Sequence, residues 1–155
     1  MSSALLESLA EAFTGDADRR ALLDATVREG LPPPRTEAWK YTSLRGLERR
    51  RFAPAAPVPA DEALLAAIPA PRLVFVNGRH APALSRLDGL ADGVQVGSLA
   101  EALGGGQARA TYFLDRRFER PDEVFARLNA ALADDGLVVR VADGVSAGAL
   151  HVVFV

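Results

Sequence analysis

Three consecutive prolines, Pro32, Pro33 and Pro34, constrain this chain more than any other feature. Proline fixes φ, removes a backbone donor and disfavours helical geometry in the residue before it. A preceding helix must therefore stop by about Gly30, and the backbone must run extended before a new element starts. The prolines open the segment Leu31-Pro32-Pro33-Pro34-Arg35-Thr36-Glu37-Ala38-Trp39-Lys40-Tyr41-Thr42, which holds the only Trp, the only Lys and one of two Tyr. Helix is expected to resume only briefly, after Thr36 or Thr42.

Upstream, Leu5, Leu6, Leu9, Ala10 and Phe13 fall at helical spacing with Glu7, Ser8 and Glu11 on the other side, which predicts an amphipathic helix ending before Gly15. A second helix is expected from Asp16 or Asp18 to Gly30, burying Leu22, Leu23 and Val27. Two such helices predict an antiparallel hairpin, its apolar faces meeting each other or the sheet that follows.

Residues 53–60 hold four Ala and three Pro, the composition of a semi-rigid linker. The expected organisation is a helical region with the Trp motif over 1–52, this linker, a mixed α/β segment over 61–136, and a different kind of segment over 137–155. In the mixed segment, Asp61 is expected to cap a short helix over 61–68. Leu73-Val74-Phe75-Val76 reads as a strand, Asn77-Gly78 as a type I′ turn, and Arg79 as the start of a return strand interrupted at Pro82. Val94-Gln95-Val96 is another strand, and Ser98 with Glu101 forms a capping box for a helix that Gly104-Gly105-Gly106 ends. Val124, Phe125, Leu128 and Leu132 predict a further helix over 122–133. Finally, Leu137–Val141 and Leu150–Val155 are apolar strands separated by a Gly-rich corner, the pattern of β-helix rungs. Two rungs cannot bury their faces alone, so the chain is expected to be cut, with an apolar edge strand at Val152–Val155 open to self-association.

The Trp motif with Leu44 and Leu47, then Leu73–Arg79 followed by Leu84-Ser85 and Gly93–Leu99, then Asn129-Ala130-Ala131 leading through Asp135-Gly136 to Leu137–Val145, resemble in this order the start of the SufB/SufD family, most like its SufD branch. The resemblance covers residues 31–155. It implies an N-terminal piece of a scaffold subunit for iron–sulfur cluster assembly, with SufB and the ATPase SufC as partners. It also implies a much longer protein with a β-helix core and C-terminal helices. The regions family members use to hold the cluster and to bind SufC lie in those missing parts, so no site residue is carried over.

Composition limits the chemistry. Cysteine is absent, so this chain has no disulfide, no thiolate nucleophile and no cysteine-ligated cluster. A net charge of −2 and a pI near 5.7 give no general attraction to nucleic acid or to an anionic membrane. There is no signal-like N-terminus and no apolar run of the roughly 18 residues a membrane span needs, so the cytoplasm is the expected compartment.

Two features remain as candidate binding elements. Trp39, Lys40 and Tyr41 can present an aromatic and basic surface, or Trp39 and Tyr41 can pin the proline segment onto the helices while Lys40 pairs with Glu37. From Arg35 to Arg51 there are six basic residues against two acidic, with Arg49, Arg50 and Arg51 contiguous. That charge can recruit an acidic partner, or be a solvated helix end. His80 and His151 lie in different strands without cysteines to complete a metal site. Asp134, Asp135 and Asp143 sit in turns, where Asp bonds locally to the backbone. Gly104–Gly106 is not a phosphate loop, and no Ser-His-Asp set is specified.

The sequence thus predicts an α+β chain, non-catalytic and without a cofactor of its own: a helical hairpin and mixed segment leading into the first strands of a truncated β-helix. The cluster is handled by the full complex. The alternative is a stand-alone protein- or nucleic-acid-binding module using residues 35–51.

Overall fold

The computed structural model describes residues 3–56, 58–105, 118 and 120–155. In chain order the elements are α1 (Ala4–Glu11), α2 (Ala17–Glu29), α3 (Arg45–Glu48), α4 (Glu62–Ala66), β1 (Arg72–Val76), β2 (Arg79–His80), β3 (Val94–Ser98), α5 (Leu99–Gly104), α6 (Val124–Leu132), β4 (Leu137–Val141) and β5 (His151–Phe154). Single 3-10 turns lie at Glu37–Trp39, Pro82–Leu84 and Pro121–Glu123. The class is α+β. The chain divides into two compact units, Met1–Pro54 with Leu114–Ala133, and Ala55–Phe113 with Asp134–Val155.

The first unit is helical. Asp16 caps α2 by accepting the Arg19 N–H at 2.9 Å, and α2 ends at Gly30 as its sequence requires. An eight-residue helix such as α1 is marginal by itself in water, so packing must hold it. Leu6 from α1, Leu23 from α2, and Val124, Leu128 and Ala131 from α6 form one buried cluster. Each large aliphatic side chain so buried contributes about 1.5–3 kcal/mol. The sequence leads one to expect α1 and α2 to close on each other or on the following sheet, with 61–136 forming a single segment. Instead α6 supplies the third wall, because its residues 124, 128 and 131 make an apolar stripe at helical spacing. The 61–136 stretch is accordingly shared between the two units. Two polar ties reinforce the α2–α6 contact: Arg19 Nε donates to the Ala131 carbonyl at 3.0 Å, and Arg127, 6% exposed, pairs with Glu29 at 2.6 Å.

The second unit carries two small sheets. In the first, of order β2-β1-β5, Leu73, Val74 and Phe75 of the central strand are fully buried. Asn77 (φ 48°) and Gly78 (φ 78°) turn β1 into β2, as the Asn-Gly pair predicts. Strand β5 runs parallel to β1 in register from Arg72↔His151 to Phe75↔Phe154, and Phe154 stacks on Phe75 with centroids 5.3 Å apart. The second sheet pairs β3 and β4 antiparallel, from Val94↔Val141 to Ser98↔Leu137. Ser98 then opens α5 through the expected reciprocal bonds with Glu101; Gly106, expected to help end that helix, lies outside the described residues. Gly93 has φ 86°, and a Cβ there would also press on Ala142 and Val145 at 3.1–3.2 Å, so a side chain at this approach to the β4 exit is strained.

Strands β4 and β5, on either side of the Gly-rich corner, do not pair with one another. They lie in different sheets: β4 adds to β3 and β5 adds to β1. The edges that accept them were formed some 40 to 80 residues earlier in the chain, so the pairing is set by long-range contact rather than by the corner between them.

Candidate functional site

The proline segment leaves α2 extended, turns at Pro34-Arg35, where Thr36 N–H bonds to the Pro33 carbonyl at 2.9 Å, and enters the 3-10 turn that carries Trp39. Trp39 is half-buried. Its indole N–H donates to the Asp122 carbonyl at 3.0 Å and its ring tilts against Phe125 of α6, with centroids 5.1 Å apart. Trp39 therefore anchors the motif onto the start of α6. Tyr41 does not share that role: it is 90% exposed, because the turn that sets Trp39 inward points its second neighbour out. Lys40 pairs with Glu37 at 3.3 Å and sits 5.1 Å from the Tyr41 ring centre. Glu37, Lys40 and Tyr41 make a small exposed cluster, of the kind worth about 1 kcal/mol or less to stability.

The arginine run is split by its surroundings. Arg51 reaches α1, where it pairs with Glu7 at 3.6 Å and with Glu11. Beside it the Phe52 N–H donates to Ser8 Oγ at 3.0 Å, and Ser3 Oγ donates to the Glu48 carbonyl at 3.3 Å. These bonds strap residues 48–52 along α1. Arg49 and Arg50 are exposed, as are Arg35 and Arg45.

Between α1, α3 and α6 lies an open apolar cleft of about 320 Å³, lined by Leu5, Leu9, Leu47, Phe125, Leu128 and Leu132. Asn129 is its one polar lining residue. Leu47 lies in the same short segment as the exposed Arg45, Arg49 and Arg50, but none of the three lines the cleft, and Arg45 and Arg49, two residues from Leu47, sit on the other face of the turn.

The second unit holds a polar junction that the sequence reading missed. Asp135 is no mere turn residue: its carboxylate accepts the backbone N–H of Gly136 at 2.8 Å, of His80 at 2.7 Å and of Ala100 at 3.1 Å, tying β2, α5 and the entry to β4. His80 Nε2 lies 3.2 Å from Ser85 Oγ, and its Nδ1 lies 3.9 Å from Glu101. The Ser85 hydroxyl accepts the Val74 N–H at 3.0 Å and is within 3.0 Å of the Ala81 carbonyl. A nucleophile needs its proton passed to a base that is itself held by a carboxylate in hydrogen-bond contact. Here backbone groups occupy the hydroxyl and the carboxylate is too far, so the arrangement secures a strand and a turn. His151 stands apart on β5. Among the described residues no three His, Asp or Glu side chains converge to hold a metal ion, and no helix is long and apolar enough to cross a membrane.

Residues 7–149 match the family described as SufBD protein N-terminal region. The chain belongs to this family. A 67-residue stretch is 45% identical to the iron-sulfur cluster assembly protein SufD of Escherichia coli (strain K12), covering 41% of this chain and 16% of that protein. The chain thus matches a minor part of its relative's length. In this SufBD N-terminal region the Trp motif, the Asn-Gly hairpin and the Asp135-Gly136 entry to β4, which carry the resemblance in sequence, each form a distinct structural joint.

Proposed function

We propose that this chain is the N-terminal part of a SufD-like scaffold subunit of the SUF iron–sulfur cluster assembly system, with a non-catalytic, partner-positioning role. The observation that carries it is the family match over residues 7–149, joined by the 45% identity to a SufD protein. The cluster is cargo of the whole assembly, and this chain, without cysteine, offers it no thiolate. SufB and SufC are the partners this reading names, and the cytoplasm is its compartment. Segment 137–155 is then the entry to the family's β-helix core. The outer edge of β5, which carries no strand among the described residues, supports that placement.

A nucleic-acid module built on residues 35–51 is less well supported. It needs free aromatic faces and uncompensated cations; Tyr41, Arg35, Arg45, Arg49 and Arg50 are exposed, but Trp39 is engaged by Phe125 and Arg51 by two glutamates, and the family match speaks for the other reading.

The test is co-expression of the tagged chain with SufB and SufC of its own organism. Retention of SufB, alone or with SufC, supports the reading. A folded chain by circular dichroism that retains neither overturns the partner-positioning role.

A further inference from the structure

We propose that the cleft between the β3–β4 strand pair and α5 is a binding site for a small zwitterion, an α-amino acid held at both of its charged ends. The cleft has a volume of about 170 Å³, and its lining includes Gln95, Gly97, Glu101, Ala102, Val138 and Arg140. A cavity of about 150 Å³ takes a benzene-sized molecule, so this one suits a ligand of roughly six to eight non-hydrogen atoms. It is too small for a nucleotide, whose sites start at about 300 Å³.

The strand pairing decides which groups meet there. Residues directly opposite in an antiparallel pair share a face, and so do alternate residues along one strand. Gln95 stands opposite Arg140 and Gly97 opposite Val138, so these four share a face. Arg140 is the one cation of the lining and Glu101 its one carboxylate. Gly97 leaves the face bare where Glu101 reaches over it: a Cβ there would lie 3.6 Å from Glu101 Oε2. The carboxylate therefore stands above Gly97, while the guanidinium starts from the pair two residues along, about 7 Å away at ~3.4 Å per residue.

Both charged groups keep capacity for a ligand. Glu101 closes the α5 capping box with one oxygen, 3.4 Å from the Ser98 amide, and its other oxygen lies 3.9 Å from His80 Nδ1. A carboxylate offers about four lone-pair sites, so two contacts do not exhaust it. Arg140 is half-buried, and its guanidinium has enough donors to take a carboxylate in a fork beside its other contacts. A purely anionic ligand meets Glu101 and a purely cationic one meets Arg140, so like charge offsets what either gains. A ligand with both charges satisfies both residues. Two charge-assisted bonds of about 2.8 Å on either side of an N–Cα–C unit of about 2.5 Å span about 8 Å, close to the separation the strands set. Ala102 and Val138 leave an apolar contact for a small side chain.

The site goes beyond the scaffold role and does not depend on it. The probe is L-alanine, titrated into the chain and followed by amide shifts in heteronuclear NMR. Propionate and ethylamine serve as analogues that each lack one charge. Alanine is expected to bind with a Kd of about 1–10 mM, shifting Gly97, Ser98, Ala102 and Val138, and each analogue at least about tenfold more weakly. Glu101→Gln keeps the capping box, which accepts Gln at this position, and is expected to weaken alanine at least about tenfold. Gly97→Val fills the floor of the cleft with a residue that suits a strand, and is expected to abolish the shifts while the circular dichroism stays that of the parent. Should Gly97→Val lose its fold, Glu101→Gln and the two analogues decide alone. No shift at these amides at about 100 mM alanine, propionate or ethylamine binding as tightly as alanine, or full affinity in Glu101→Gln would each overturn the proposal.

Discussion

Trp39 donates its indole N–H to the carbonyl of Asp122, 83 positions away in sequence, and lays its ring against Phe125 one turn later. A segment that prolines keep from folding as helix is thereby fixed to the helix that completes the first unit. The same contact predicts how the unit fails. Trp39→Phe keeps an aromatic ring against Phe125 but leaves the Asp122 carbonyl without its donor, an expected cost of about 1 kcal/mol. Trp39→Ala also removes the ring, and for a half-buried side chain the expected cost is about 2–3 kcal/mol, below the range for a fully buried one. Urea unfolding followed by circular dichroism measures both. Equal midpoints for the two variants would show that the ring contact contributes nothing.

Asp135 gathers three backbone donors from three elements, and bonds to a charged acceptor are stronger than neutral ones. Asp135→Ala leaves the part-buried His80 amide without its acceptor and gives the exposed Ala100 amide to water, and a loss of about 1–3 kcal/mol is expected. Asp135→Asn keeps one acceptor oxygen and is expected to lose roughly half as much. Hydrogen exchange at the His80 and Ala100 amides is the direct readout. Unchanged protection in Asp135→Ala would refute the role given to this carboxylate.

How far these joints can be read from sequence differs in a consistent way. The Asn77-Gly78 turn, the Ser98–Glu101 capping box and the Asp16 and Asp61 caps are legible because each bond closes within four residues, so residue type and spacing contain the whole interaction. For Trp39 the sequence leaves open an anchor or a binding surface, and no local pattern names Asp122 or Phe125 as its partners. Asp135 misleads for the same reason. Its bond to Gly136 is the turn chemistry its neighbours suggest, and the bonds to His80 and Ala100 depend on which strands pair. Residues 137–155 do form two strands about a corner, while the choice of β3 and β1 as their neighbours is a matter of tertiary contact. The apolar cleft could not be seen at all, since Leu5, Leu47 and Leu128 read individually as core.

Within the first unit, the Arg127–Glu29 pair and the pairing of Arg51 with Glu7 and Glu11 are expected to differ in strength because they differ in burial. Arg127 is 6% exposed and its Nε has no partner, whereas Arg51 and its glutamates are half-exposed. Arg51→Ala is expected to cost about 1 kcal/mol or less. Glu29→Ala leaves a buried guanidinium without its counter-charge, with an expected cost of about 2–3 kcal/mol, reduced from the fully buried case because Glu29 itself faces water. Arg127→Met removes the charge and fills similar volume, so the double variant Glu29→Ala/Arg127→Met is expected to recover most of that loss. Thermal melts of the four chains decide this, and a double variant no more stable than Glu29→Ala alone would count against the account.

Strand β5 closes the order β2-β1-β5 with Val152 36% and Phe154 71% exposed, so its outer backbone edge and one apolar side are both open to another strand. The isolated chain is therefore expected to self-associate as its concentration rises, by edge pairing of β5. A lysine on such an edge opposes pairing by charge and by its need for water. Val152→Lys is expected to return the chain to a monomer in sedimentation equilibrium at concentrations where the parent is largely dimeric or larger. Phe154→Lys is the poorer test, because it also removes the stack on Phe75 and so loosens β5 from β1. A parent chain that stays monomeric at every concentration would refute the prediction, and a Val152→Lys chain that associates as strongly as the parent would place the association surface somewhere other than this edge.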